Sequence, residues 1–121
     1  MSRILVIEDN ESERECLVAF LKGENNEVAE ASNGKSGIRM MKQESFDLVI
    51  TDIFMPEQDG LQTILEIRAF NPEAKIIAVS GGGRYGEVFY LNTSAKLGAD
   101  DILEKPIRFD QLLRTMQKMN V

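Results

Sequence analysis

The chain has 121 residues, enough for one domain with a real core and too few for two. Its 20 acidic and 14 basic side chains leave a formal net charge of −6, which argues against a nucleic-acid-binding face or a polybasic membrane anchor. There is no histidine and a single cysteine, Cys16, which excludes histidine-based triads, imidazole metal sites and an internal disulfide.

No apolar run approaches the ~20 residues needed to span a bilayer. Met1-Ser2-Arg3 passes straight into a strand pattern, without the long apolar core of a signal peptide. A cytoplasmic domain is expected, with Cys16 packed as a small apolar side chain in a helix. The remaining chemistry must use carboxylates, lysine, hydroxyls and backbone, and only hard oxygen-ligand ions such as Mg²⁺ suit that set.

Residues 3–7 carry the apolar run Ile4-Leu5-Val6-Ile7 and end abruptly in Glu8-Asp9-Asn10-Glu11, a first buried strand with an acidic edge. From residue 12 to 22, Cys16, Leu17, Phe20 and Leu21 recur at helical spacing, and Gly23 stops the helix. Residues 27–31 form a weaker strand, Ser32-Asn33-Gly34 a turn, and residues 35–43 a second helix with Ile38 and Met41 three apart. Residues 46–52 read as a third, buried strand that closes on Asp52, and Met55-Pro56 opens a loop that runs to Asp59-Gly60.

Leu61, Ile64, Leu65 and Ile67 indicate a third helix ending near Asn71-Pro72. Ile76-Ile77-Ala78-Val79 lies in a fourth strand over 75–80, and Gly81-Gly82-Gly83 reads as a flexible turn before a helix over about 87–97. A fifth strand follows over 101–103. Phe109, Leu112, Leu113 and Met116 then repeat at i, i+3, i+4 and i+7 along an amphipathic last helix.

Five strands alternating with five helices call for a parallel α/β sheet with helices on both faces. Right-handed crossovers bring every strand's C-terminal end to one edge. Glu8-Asp9, Asp52, Ser80 and Lys105 fall at four such ends, where open α/β sheets place their chemistry. Two carboxylates ~4 Å apart repel by ~4 kcal/mol at an effective dielectric near 20, so a purely structural cluster would need a compensating charge. A divalent cation and Lys105 both supply one. With Mg²⁺ bound, Asp52 can act as a nucleophile towards a phosphoryl group, while Ser80 and Lys105 reach two of its oxygens. Pro106, directly after Lys105, can take the cis form.

Three other motifs carry less weight. Gly81-Gly82-Gly83-Arg84-Tyr85-Gly86 has dinucleotide-type glycine spacing, but it follows the fourth strand and leaves too little chain for such a fold. Gly34-Lys35-Ser36 resembles the end of a P-loop, with Ala29 where the first glycine belongs. The acidic loop after the first strand would repel the phosphate of a flavin mononucleotide.

Glu8-Asp9, Asp52 with Met55-Pro56 and Asp59-Gly60, Ser80, and Gly98-Ala99-Asp100-Asp101 with Lys105-Pro106 together resemble the receiver domain of two-component response regulators, over essentially the whole chain. The resemblance implies a flavodoxin-like doubly wound (βα)5 sandwich with strand order 2-1-3-4-5, forming one receiver over residues 1–121. It implies Mg²⁺ on Glu8, Asp9, Asp52 and the main-chain carbonyl of Phe54. Asp52 would accept phosphate from a phosphohistidine on a sensor kinase or phosphotransfer protein. Ser80 and Lys105 would then reposition and change the surface offered to a downstream protein. Such a chain is a switch rather than a turnover enzyme.

Three departures stand out. Ile102 occupies a position that is often aromatic in receivers. The glycine-rich stretch from Gly81, Gly82 and Gly83 onwards lengthens the Ser80-to-Lys105 interval and is expected to carry the switch, with Tyr85, Phe89 or Tyr90 as readout. Phe54 and Gly82 cannot orient a water, which implies a long-lived phosphoaspartate. A small Mg²⁺-dependent phosphatase and a phosphate-independent interaction module are the competing readings. Phe54 stands where haloacid-dehalogenase-type phosphatases usually carry a second acid. No output domain follows the last helix in this sequence, so either a stand-alone receiver or a piece of a larger regulator is expected.

Overall fold

The computed structural model describes residues 1–53, 60–81, 92–93 and 95–121. The strands are β1 (Arg3–Ile7), β2 (Glu27–Ala31), β3 (Leu48–Asp52), β4 (Ile76–Gly81) and β5 (Asp101–Lys105). Between and after them lie α1 (Glu11–Gly23), α2 (Gly34–Gln43), α3 (Gly60–Phe70) and α5 (Phe109–Lys118). Residues 92–93 and 95–97 are helical and are numbered α4. All strand pairs are parallel, in the order β2-β1-β3-β4-β5. This is the expected doubly wound sheet.

Alternation along each strand sorts the core into two layers. Leu5, Ile7, Val49, Ile76 and Ala78 pack with Ile38 of α2 and Ile64 and Ile67 of α3. Ile4, Val6, Leu48, Ile50, Ile77, Val79 and Leu103 pack with Leu17, Val18 and Leu21 of α1 and with Leu112 and Met116 of α5. The central strands are therefore apolar on both faces, which is why they read as unbroken hydrophobic runs. Rings of Phe20 and Phe109 stack at 4.0 Å and 9°, joining α1 to α5.

Several boundaries differ from expectation for local reasons. β3 begins at Leu48, because Asp47 accepts a hydrogen bond from the Arg3 N–H at 2.8 Å and Phe46 lies under the Arg3 guanidinium. α1 runs through Gly23, and the left-handed residue that reverses the chain is Asn25 (φ 66°). Its N–H donates to Lys22 O at 3.0 Å and that of Asn26 to Leu21 O at 3.3 Å, a Schellman closure. Cys16 is exposed rather than packed, since Leu17, Val18 and Leu21 form the buried stripe. Leu65 is likewise exposed. Gly81 is the last residue of β4, paired with Lys105, and not part of a turn. The loop of residues 55–59 and most of the helix expected over 87–97 lie outside the described residues.

The edge remote from Asp52 is tied by one side chain. Arg68, in the last turn of α3, donates to Gly98 O through Nε at 2.9 Å and Nη2 at 2.7 Å, and to Pro72 O at 3.0 Å. It also donates to Ala74 O and pairs with Asp100 at 2.7 Å, whose Oδ2 accepts the Ile76 N–H at 2.8 Å. Gly98 has φ +125°, and a Cβ there would meet the Arg68 side chain at 2.8 Å. Replacing Arg68 by alanine leaves these carbonyls short of donors and is expected to cost ~2–4 kcal/mol in urea unfolding, without altering metal binding at the opposite edge.

Candidate functional site

Strand order β2-β1-β3 makes the chain turn in opposite directions after β1 and β3, so a crevice opens between their C-terminal ends. Ile7 pairs with Thr51, which sets Glu8 beside Asp52. One carboxylate oxygen from each of Glu8, Asp9 and Asp52 lies within 4.8 Å of the others. Glu8 and Asp52 are buried and Asp9 is exposed. All three groups offer hard oxygens, so the set fits Mg²⁺.

Lys105 enters from β5, two strands away. Its register partner Gly81 adds no side chain on the face they share, and Lys105 Nζ reaches Glu8 Oε1 at 2.7 Å and Asp52 Oδ2 at 3.1 Å. A third acid, Glu13 of α1, lies 3.1 Å from the same nitrogen. Burial pushes the Glu8 carboxyl up to about 8, with the Asp52 charge adding to the rise and the Lys105 hydrogen bond opposing it. Burial acts to lower the Lys105 ammonium, but Glu8, Asp52 and Glu13 outweigh it and hold the group above its ordinary value. One ammonium thus contacts two buried acids and one exposed acid. The Lys105–Pro106 peptide is cis.

Ser80 is not brought into this cluster. It is fully buried in β4, and its Oγ has no hydrogen-bond partner among the described residues. Alternation puts its Cβ on the face opposite Asp52's register partner Val79. Ile102 is half-buried on that other face, packed against the layer that contains Ala78, its strand partner. Phe54, Gly82 and Gly83, like Tyr85, Phe89 and Tyr90, lie outside the described residues.

Three contributors were not read from the sequence as site residues. Glu13 looked like one of several first-turn acids on α1. Arg14 donates to Glu8 O at 2.8 Å and to Glu30 at 3.0 Å, holding the end of β1 to α1 and β2. Gly60 starts α3 hard against β3, where a Cβ would lie 2.3 Å from both Asp52 O and Ile53 Cα.

Residues 4–117 match the response regulator receiver domain family, and the chain belongs to it. Phosphorylation-controlled switching is the general function of that family. The chain is 36% identical over 115 residues to the transcriptional regulatory protein ZraR of Escherichia coli K12, covering 95% of this chain but 25% of ZraR. It thus spans about a quarter of that relative's length. It is 34% identical over 119 residues to the chemotaxis protein CheY of Listeria monocytogenes, covering 98% of each. Among solved structures it resembles the response regulator TrrA of Thermotoga maritima in complex with Mg²⁺-BeF, with TM-score 0.86, 34% identity, and coverage of 98% and 99% of the two chains.

Two stability measurements test this geometry. Gly60→Ala must move α3 or the end of β3, since backbone atoms fill the space; a loss of ~1–3 kcal/mol is expected, with NMR shift changes centred on Asp52 and Ile53. Ser80→Ala removes a buried hydroxyl that lacks a partner and should raise stability by about 1 kcal/mol in chemical unfolding.

Proposed function

We propose that the chain is a Mg²⁺-dependent phosphoryl acceptor of a two-component or phosphorelay system. In this reading Asp52 is the acceptor, and Glu8, Asp9 and Asp52, with the main-chain carbonyl of Phe54, hold the cation. The observation that carries it is the cluster of three strand-end carboxylates around one strand-end ammonium. The Mg²⁺-BeF complex of TrrA, at 34% identity, supports the same assignment here.

A bound Mg²⁺ supplies charge neutralisation for the incoming phosphoryl oxygens. An Asp52 carboxylate oxygen forms the new bond to phosphorus as the phosphorus–nitrogen bond of a donor phosphohistidine breaks. The electron pair stays on the imidazole nitrogen, which takes up a proton. Lys105 exchanges its carboxylate partners for a phosphoryl oxygen, and the Ser80 hydroxyl, buried on the other face and without a partner among the described residues, must reposition with the end of β4 to donate to another. The sequence has no histidine, so a phosphohistidine donor lies outside it, as on a sensor kinase or phosphotransfer protein.

The output is a changed protein-binding surface, read by a downstream protein rather than by nucleic acid, in keeping with the net charge of −6. The domain, residues 1–121, works in the cytoplasm as a switch without substrate turnover. No described helix is long and apolar enough to cross a membrane.

Incubation with acetyl phosphate or phosphoramidate and Mg²⁺ should add one phosphoryl group by intact mass. The adduct should vanish in Asp52→Asn and on chelation of the metal. Continuous release of inorganic phosphate without an adduct would instead indicate a phosphatase, and neither signal would indicate a phosphate-independent interaction module.

A further inference from the structure

We propose that Glu13 is a positioning residue for Lys105, giving the ammonium a resting place outside the acid cluster. The inference rests on the reading of Glu8, Asp9 and Asp52 as the cation site. Lys105 Nζ lies on Glu8 Oε1 at 2.7 Å and Asp52 Oδ2 at 3.1 Å, so ammonium and cation draw on the same two carboxylates. Glu13, at 3.1 Å, is the one partner of Lys105 among the described residues that does not belong to the cluster.

The local backbone explains why Glu13 serves this purpose. Asn10 caps α1, its Oδ1 accepting the Glu13 N–H at 2.9 Å, which makes Glu13 the third helical residue. A glutamate there commonly reaches back to the N–H of the cap residue. Here the Asn10 N–H donates to Glu8 Oε2 at 3.1 Å, and the Glu13 carboxylate is turned to Lys105 instead. The same cap therefore fixes both the inner acid and the outer one.

Exposure gives the pair its direction. The Glu13 side chain is 48% exposed, against 8% for Glu8 and 6% for Asp52. An ammonium on Glu13 alone keeps more of its hydration than one held between the two buried acids. Glu13, Cys16 and Lys105 also border a cavity of about 190 Å³, which gives the ammonium room on the α1 side. When Glu8 and Asp52 are claimed by a cation, Lys105 withdraws onto Glu13, still beside Asp52. Without Glu13 the lysine stays longer on the inner acids and competes more strongly with the metal.

The test is a Mg²⁺ titration of the full chain followed by heteronuclear NMR, for wild type, Glu13→Gln, Lys105→Ala and the double variant. Glu13→Gln is expected to bind Mg²⁺ about two- to fivefold more weakly. In the Lys105→Ala background the same substitution should change nothing. Equal affinities for wild type and Glu13→Gln, or the same weakening with and without Lys105, would overturn the proposal, the latter because Glu13 would then act only through its charge. Should Lys105→Ala not fold, Glu11→Gln, an acid of the same turn, takes its place, and equal weakening by both glutamine variants overturns the proposal. Failure of the wild type to bind Mg²⁺ would instead remove the proposed function together with this inference.

Discussion

One ammonium shared among several carboxylates is the constraint on which this molecule depends. Lys105 is the only link in the site between β5 and the ends of β1 and β3 among the described residues, and it touches α1 as well. Two buried acids side by side are unfavourable unless a cation answers them, and one lysine answers incompletely. Burial, with the Asp52 charge adding to it, keeps the Glu8 carboxyl raised even with Lys105 beside it. A site left short of positive charge is a site prepared to take more of it, and that is the physical basis for the divalent-cation binding proposed above.

The sheet makes this arrangement possible by order and register rather than by any special loop. With β1 next to β3, acids that are 44 residues apart become neighbours, and β4 lies between Asp52 and Lys105, with Val79 beside Asp52 and Gly81 beside Lys105 on that face. The two core layers give the faces separate tasks. Glu8, Asp52 and Lys105 belong to the face covered by α1 and α5, while Ser80 and Ile102 belong to the face that contains Ala78 and Ile64. The charged contacts and the orphaned hydroxyl are thus on opposite sides of the same strand ends.

Much of this was legible in the sequence for a simple reason. Strands buried on both faces leave unbroken apolar runs, and a charge that ends such a run marks the functional edge, as at Glu8 and Asp52. Less was legible wherever a residue's role depends on a partner distant in sequence. Glu13 has the spelling of an ordinary helix-start acid, and only the diversion of the Asn10 N–H to Glu8 turns it towards Lys105. Gly81 sat in a glycine-rich stretch that spells a turn, yet pairing with Lys105 draws it into β4. Cys16 and Leu65 fell on apolar patterns, but the buried stripe of each helix runs one position away, through Leu17 and Ile64. Gly60 was seen as part of a motif, and its reason, the backbone of Asp52 and Ile53 where a Cβ would stand, is purely three-dimensional.

The exposure of Cys16 gives the molecule an experimental convenience of its own. The sequence holds one thiol, and it opens to solvent on the wall of the cavity that Lys105 and Glu13 also border. A fluorophore or nitroxide coupled to the unaltered chain would therefore attach at a single known position next to the charged cluster. Changes in Lys105 pairing could then be followed in real time without first removing any native cysteine.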